Sequence, residues 1–298
     1  MSVLDTTLGL AGGWHTTACG SLWVRAALRT GDERPPVLFV HGLGRGGGQL
    51  VPLAAAFRGV RSVLVPDLFD LGGRSRGRGR TLTIPEHAEV LGELLEQHGP
   101  AEVVGISLGG WVAAWLAAQR PELVHGLYLV NPAGTREDAE ALGDLYRETA
   151  RGGELYRRVV ASRPFLGVPV VSALLERGFL RVLQTPDVRA LIDGIEEHHF
   201  IEHALPRITC RVRLLLSESD LLLRPAATLQ VWTAGVRDLE GLWVAETSHN
   251  LGYEAFEVLL DDLAGYLGMR RAPASWIATV ASHLRVPPRT RPLREEAR

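Results

Sequence analysis

The feature that most constrains this chain of 298 residues is the alternation of short apolar runs with longer, helix-compatible segments. The apolar runs that predict strands are Ser21–Leu28, Val37–Val40, Ser62–Val65, Glu102–Ile106, Gly126–Val130, Val212–Leu216 and Leu242–Ala245. The segments with helical patterns are Leu50–Phe57, Pro85–Gln97, Trp111–Ala118 and Ala255–Leu267. Short, nearly continuous apolar strands between helices are typical of a parallel sheet that is buried on both faces. We therefore predict the α/β class, with a mostly parallel central sheet and helices on both faces.

One long segment interrupts this alternation and divides the chain into parts. Residues 135–206 are rich in arginine and glutamate, have helical apolar spacing and contain no strand-like run. We predict that they form a helical cap inserted into a core made of residues 1–134 and 207–270. Residues 271–298 are expected to be a C-terminal extension, partly disordered, because they end in the polar, proline-rich VPPRTRPLREEAR.

Composition excludes several classes of protein. All 32 basic residues are arginines, so the chain lacks the lysine that a P-loop or a pyridoxal phosphate enzyme needs. The net charge of −2 gives no support to nucleic-acid binding. We see neither a signal peptide nor an apolar run that could span a membrane, and Cys19 and Cys210 lack metal-ligand spacing. A cytoplasmic protein is expected.

The sequence Gly105-Ile106-Ser107-Leu108-Gly109 lies between a predicted strand and a predicted helix. This context is typical of a nucleophile elbow, a turn so tight that glycines must flank the serine. Ser107 is therefore the candidate nucleophile. The alternative is a glycine-rich loop without chemistry.

His41-Gly42-Leu43-Gly44 follows another predicted strand. In an acyl-transfer site the backbone amides of Leu43 and Leu108 would form the oxyanion hole. The same stretch has a second interpretation, the one we favour least. Gly42, Gly44 and Gly47, with Asp67 after the next strand, imitate a dinucleotide-binding fingerprint.

An acid and a histidine are needed after the nucleophile. Asp220 lies in the loop after Val212–Leu216, and His249 directly follows the last predicted strand. Asp220 would orient the imidazole, and His249 would act as the general base. Glu218 is the competing acid, and solvated loop side chains are the alternative for all three residues.

Six segments together resemble the α/β-hydrolase fold superfamily, in its cap-bearing serine hydrolase and esterase branch. They are VLFVHGLG, Val63–Ser75, VVGISLGGWVAAWLA, LYLVNPAG, LLLSESDLLLRP and ETSHNLGYE, and the resemblance covers most of residues 20–268. It implies the triad Ser107, Asp220 and His249, and it implies a lid at residues 135–206. Departures from the family pattern are Ser248, where a glycine commonly stands, and the longer FDLGGRS loop. Asn131 is not an acid, so an acid after this earlier strand is not supported.

The resemblance implies hydrolysis of a small lipophilic ester, thioester or amide. A C–C bond hydrolase of a diketone-like substrate is the alternative within the fold. The alternative of a different class is a binding or biosynthetic protein that keeps this fold but does not hydrolyse a substrate. Candidate pocket residues are His41, Trp111, Phe165 and Phe179.

We expect no cofactor, no metal and no nucleic-acid partner. His199 and His203 are four residues apart but lack the H-E-x-x-H order of a zinc helix. The arginine-rich loop from Arg74 to Arg80 is interpreted as a solvated loop, with an anion site as the alternative.

Overall fold

The computed structural model describes residues 8–43, 46–77, 79–139, 185–220, 222–270, 273 and 288–293. Its strands are β1 Ala11–Thr17, β2 Gly20–Ala27, β3 Val37–Val40, β4 Val63–Pro66, β5 Arg76–Gly77, β6 Ala101–Ile106, β7 Val124–Val130, β8 Arg211–Ser217, β9 Leu239–Val244 and β10 Thr290–Pro292. Within these residues they form one sheet in the order β1-β2-β4-β3-β6-β7-β8-β9-β10, with β5 paired to β2. The six neighbouring strands β4, β3, β6, β7, β8 and β9 run parallel. At one side of them β2 pairs antiparallel with β4, and β1 and β5 pair antiparallel with β2. At the other side β10 pairs antiparallel with β9.

The helices are α1 Val51–Phe57, α2 Ile84–His98, α3 Leu108–Gln119, α4 Pro186–Asp193, α5 Pro225–Gly235, α6 Leu251–Glu254 and α7 Phe256–Tyr266. Side chains alternate across β3, so Leu38 and Val40 pack in one core with α2 and α3. Val37 and Phe39 point the other way, into a second core with α1 and α7. The apolar run VLFV thus buries both faces of its strand, and the predicted α/β class is confirmed.

Strand β1 is a difference from the sequence prediction, which places the first strand at Ser21–Leu28. Gly12 and Gly13 deprive β1 of an apolar alternation, so it has no strand signature of its own. Its pairing with β2 supplies the order instead. Gly12 also makes room for a neighbour, because a Cβ on it would lie 2.2 Å from the Trp23 ring.

Strand β10 is a second difference, within the tail that the sequence predicts to be disordered. Thr290–Pro292 pairs antiparallel with β9, whose outer edge would otherwise leave backbone groups without partners. Arg291 also pairs with Glu218 at 2.9 Å and lies over the Trp243 ring. A polar, proline-containing tripeptide therefore becomes a strand through tertiary contacts.

The described part of the predicted cap consists of residues 135–139 and 185–206, and these residues contain no strand. Helix α4 begins at Thr185, whose hydroxyl accepts a hydrogen bond from the amide of Val188. Short 3₁₀ turns follow, up to Arg207. The intervening cap residues lie outside the described residues, so the boundaries predicted for the cap remain a prediction.

Two tryptophans of α3 fix the described end of the cap to the core. The indole N–H groups of Trp111 and Trp115 both donate to the carbonyl oxygen of His199, at 2.9 and 2.7 Å. The amide of Ile201 donates to the Gly134 carbonyl at 2.8 Å, which ties the exit of the cap to its entry. In the described part of the chain, no helix combines the length and apolarity needed to cross a membrane.

Candidate active site

A sharp turn joins β6 to α3 and carries Ser107. The φ of Ser107 is 55° and its ψ is −125°, a conformation that residues with a side chain rarely adopt. The flanking glycines are required by space. A Cβ on Gly109 would lie 2.3 Å from the Val40 carbonyl oxygen, and one on Gly105 would lie 2.7 Å from the Gly109 carbonyl oxygen. The turn thus holds Ser107 at the carboxyl edge of the sheet, at the N-terminus of α3.

The structure brings Ser107, His249 and Asp220 together, as the sequence predicts. His249 Nε2 lies 2.8 Å from Ser107 Oγ, and His249 Nδ1 lies 2.7 Å from Asp220 Oδ2. The carboxylate can only accept, so the Nδ1–H donates to it and Nε2 is left to accept from the serine hydroxyl. The second oxygen of Asp220 accepts from the amides of Leu222 and Leu223, at 2.8 and 3.0 Å.

The His249 imidazole is buried, and its surroundings raise its pKa. Burial by itself lowers the pKa, but the charge of Asp220 and the hydrogen bond to it outweigh that effect. More distant carboxylates, those of Asp138 and Glu254, act in the same direction. The arrangement therefore favours an imidazole that takes up a proton readily.

Asn131 and Glu254 hold the loop of His249, and the sequence analysis did not assign either residue a role. The amide nitrogen of Asn131 donates to the His249 carbonyl at 3.0 Å, and its oxygen accepts from the Ser217 amide at 2.8 Å. Glu254 is buried and accepts from the Ser248 amide at 2.9 Å and from the Ser248 hydroxyl. Position 248 commonly holds a glycine in the family pattern, and here its serine hydroxyl binds Glu254 within the loop.

The stretch from His41 to Leu43 passes beside the nucleophile. A Cβ on Gly42 would lie 3.1 Å from Ser107 Cβ and 3.7 Å from Ser107 Oγ. Leu108 is the first residue of α3, so its N–H has no partner within the helix. Leu43 follows Gly42, which approaches Ser107, and Leu108 follows Ser107 itself, so the oxyanion hole formed by their amides stays a prediction. Gly44 lies outside the described residues.

His41 lies inside the fold, below this stretch. Its Nδ1 donates to the Gly42 carbonyl at 2.7 Å, and its Nε2 accepts from the Leu68 amide at 2.8 Å. Burial lowers the pKa of His41, so the ring is neutral at physiological pH. The imidazole fixes the backbone beside Ser107 from within.

The predicted pocket residues fall into two groups. His41 and Trp111 are buried, and their ring nitrogens bond inside the fold. Trp111 also stacks on Phe200 with ring centroids 6.4 Å apart. These contacts hold both rings in place, and the assignment of His41 and Trp111 to the pocket stays a prediction. Phe165 and Phe179 lie outside the described residues, so their assignment stays a prediction.

Asp67 and Glu218, the residues of two competing interpretations, have other partners. Asp67 is fully buried, and its carboxylate accepts from Arg25 Nη1 at 2.6 Å and from the amides of Gly47 and Arg74, both at 2.7 Å. In a dinucleotide-binding fingerprint this carboxylate would bind the ribose hydroxyl, but here Arg25 and two backbone amides bind it. Glu218 pairs with Arg291 on the far side of the sheet edge, so Asp220 is the acid beside His249.

The arginine-rich loop and His199, which the sequence also singles out, make contacts within the fold. Arg74 lies over the Trp23 ring, and Arg80 pairs with Glu86 at the start of α2. His199 Nδ1 accepts from the Glu196 amide at 3.0 Å. Among the described residues no cluster of three or more metal-ligating side chains is found.

With this geometry in place, the chain can be compared with known proteins. Residues 35–181 match the family model described as alpha/beta hydrolase fold. An uncharacterised protein of Mycobacterium bovis is 32% identical over 120 residues, which cover 38% of this chain and 34% of that protein. The chain thus spans about a third of the length of the curated relatives it matches.

Solved structures match over most of the chain. A carboxylesterase, CesB of Bacillus subtilis, is similar with a TM-score of 0.73 and 19% identity, covering 88% of this chain and 94% of that one. The 2-hydroxy-6-oxo-6-phenylhexa-2,4-dienoate hydrolase of a Rhodococcus strain is similar with a TM-score of 0.72 and 18% identity, covering 87% and 99% of the two chains. At these identities the likeness establishes the fold.

Proposed function

The chain belongs to the α/β-hydrolase fold superfamily, and from that premise we propose that it is a serine hydrolase. The observation that carries the proposal is the hydrogen-bond chain from Ser107 through His249 to Asp220, with links of 2.8 and 2.7 Å. Along these two hydrogen bonds the imidazole accepts from the Ser107 hydroxyl and donates to the Asp220 carboxylate. A general base that activates a serine needs this tautomer.

The first half of the reaction forms an acyl-enzyme. Ser107 Oγ attacks the carbonyl carbon while its proton passes to His249 Nε2, and the charge on the imidazolium is stabilised by Asp220. The amides of Leu43 and Leu108 donate to the carbonyl oxygen as it becomes negative. When the tetrahedral intermediate collapses, His249 gives its proton to the leaving group.

The second half releases the acid. A water molecule takes the place of the leaving group and transfers a proton to His249 as it attacks the acyl carbon. The intermediate then collapses, Ser107 leaves and regains the proton, and the free carboxylic acid departs. His249 thus acts in each half first as a base that takes up a proton and then as an acid that gives it back.

The substrate class we propose is a small ester, thioester or amide with a lipophilic acyl group. The likeness to a carboxylesterase supports an acyl substrate. The chain enters the cap directly beside the nucleophile, because the Ala133 amide donates to the Ser107 carbonyl at 3.1 Å. A cap that starts there would exclude water from the acyl group, and this would strengthen the oxyanion interactions.

The test is labelling by a fluorophosphonate probe, followed by a panel of acyl esters of increasing chain length. We expect stoichiometric labelling of the wild-type protein, none of S107A, and turnover of at least one ester class. A diketone-like substrate belongs in the panel, since C–C bond hydrolysis would use the same three residues and the fold is also similar to a dienoate hydrolase. Labelling of S107A equal to that of the wild type would overturn the proposal. An intact, unlabelled wild-type protein would favour a non-hydrolytic role.

A further inference from the structure

A second buried carboxylate, that of Asp138, lies in the first turn of the cap. The amide of Thr135 donates to Asp138 Oδ2 at 3.2 Å, and the amide of Asp138 donates to Thr135 Oγ1 at 3.2 Å. This reciprocal pair closes the start of the turn in the manner of a capping box. The other oxygen, Oδ1, accepts from the amide of Arg224 at 3.3 Å.

These contacts connect Asp138 to the loop of the catalytic acid. We call Asp220 and residues 222–224 the acid loop. Its successive amides are divided between two carboxylates: Leu222 and Leu223 donate to Asp220, and Arg224 donates to Asp138. The loop is therefore held from both sides, by the acid it carries and by the first turn of the cap.

The charge on Asp138 is energetically unfavourable where it lies. The side chain is fully buried, and burial raises its pKa to about 6 against the opposing effect of its hydrogen bonds, with the charge of Asp220 raising it further. Its hydrogen-bonding role could be met in part by a neutral amide. The carboxylates of Asp220, Asp138 and Glu254 all raise the pKa of the His249 imidazole, and of these Asp220 is in direct contact with it.

We propose that Asp138 is a positioning residue for the Ser107–His249–Asp220 triad. Its carboxylate holds the acid loop against the first turn of the cap, and its negative charge stabilises the imidazolium that forms when Ser107 attacks. Asp138 acts through Asp220 and His249 and needs no contact with substrate. This inference rests on the proposed serine hydrolase function.

The experiment measures the second-order rate of Ser107 labelling by a fluorophosphonate between pH 5 and 9. The variants are D138N, which keeps one acceptor oxygen but removes the charge, and D138A, which removes both. E137Q is the matched control, because Glu137 is exposed and lies in the same turn. Thermal unfolding of each variant checks that it is folded.

We expect the acid limb of the D138N profile to move to lower pH, because the imidazolium loses a stabilising charge. D138A should in addition label roughly fivefold more slowly on the plateau, the effect of about one lost hydrogen bond. E137Q should follow the wild type. A D138N profile that coincides with that of E137Q would overturn the inference, whereas an unlabelled wild type would overturn the proposed function itself.

A measurement on the wild-type protein covers the case in which the variants do not fold. In an NMR titration, the ring carbon resonances of His249 should show two inflections, one for the imidazole and a smaller one at more acid pH for Asp138. A single inflection over the same range would contradict the coupling.

Discussion

Backbone strain at Ser107 is the residue-scale cost of exposing a nucleophile. A serine with φ of 55° and ψ of −125° costs on the order of 1–3 kcal/mol and persists only where the surroundings impose it. Gly109 makes this conformation of the turn possible, because a Cβ at position 109 would collide with the Val40 and His41 carbonyl oxygens. The conformation of the turn at Ser107 thus depends on the absence of a side chain at position 109.

Replacing Gly109 by alanine tests this view. The new Cβ would lie 2.3 and 2.5 Å from those two oxygens, which belong to backbone and cannot move away cheaply. We expect G109A to lower the free energy of unfolding by about 3 kcal/mol and to abolish probe labelling of Ser107. Chemical denaturation and labelling measure the two effects.

The matched control is G59A, since a Cβ on Gly59 meets nothing within 4 Å. It should leave both stability and labelling near the wild-type values. A G109A protein that labels at the wild-type rate would mean that the elbow can relax and that the glycine is not required.

The three candidate catalytic residues could be predicted from the sequence, but the residues that hold them in place could not. Ser107 is marked by its glycines, and His249 and Asp220 by their positions after strands. Asn131 and Asp138 bind backbone groups that lie far away in sequence. Such contacts leave no local pattern, because any polar side chain in a loop looks the same until the fold brings its partner.

Among the secondary-structure elements, helix α3 is the one to which the described end of the cap is attached through two tryptophans. Both indole N–H groups, of Trp111 and Trp115, donate to one carbonyl oxygen, that of His199. Arg207 lies over the Trp115 ring as well, 5.1 Å from its centroid. The described end of the cap is therefore fixed to the helix that follows the nucleophile.

Substituting Trp115 by phenylalanine should loosen this attachment without breaking it, since the bond from Trp111 remains. We expect W115F to cost about 1 kcal/mol in stability and to raise KM for longer acyl esters more than for short ones. The labelling rate with a small fluorophosphonate should stay within about twofold of wild type, because the triad is untouched. Steady-state kinetics across acyl lengths measure the effect.

W14F is the control, because Trp14 is 56% exposed on the edge strand β1 and donates no hydrogen bond to the described part of the cap. If W115F and W14F gave the same acyl-length profile, the attachment of the cap would have no part in substrate selection.

The central elements of the fold were predictable and its edges were not. Buried parallel strands such as Val37–Val40 are apolar throughout, which is a strong local signal. The edge strands Ala11–Thr17 and Thr290–Pro292 are glycine-containing or polar, and they are ordered by pairing with a neighbour. Helix α5 at Pro225–Gly235 was also missed, because apolar residues are spread around it without a clear stripe.

In the molecule as a whole, groups whose pKa is shifted by folding set how stability depends on pH. The pKa of Glu86 falls to about 2, through its bond to Arg80, and such a group stabilises the fold above its unfolded pKa. Asp138 acts in the opposite sense, because burial raises its pKa from 3.8 to about 6. The native state then binds a proton that the unfolded state has already released.

This linkage gives a signed prediction for D138N. Between about pH 4 and pH 6 the native protein holds more protons on Asp138 than the unfolded chain, so its contribution to stability falls as pH rises. A shift of about two pKa units corresponds to roughly 3 kcal/mol at most. Asparagine resembles the protonated carboxyl in size and never ionises. The stability of D138N relative to wild type should therefore increase from pH 4 to pH 7 and then stay constant.

Thermal unfolding of wild type, D138N and E137Q across this range measures the effect. E137Q is the control, because the exposed Glu137 lies in the same turn as Asp138. If the D138N difference did not change with pH, the native fold would not raise the pKa of the Asp138 carboxyl, and the predicted destabilisation by its charge would be wrong. An increase would mean that the fold keeps a destabilising carboxylate beside the loop of Asp220. Such a cost is expected where a charge is retained for function and a neutral side chain would give a more stable protein.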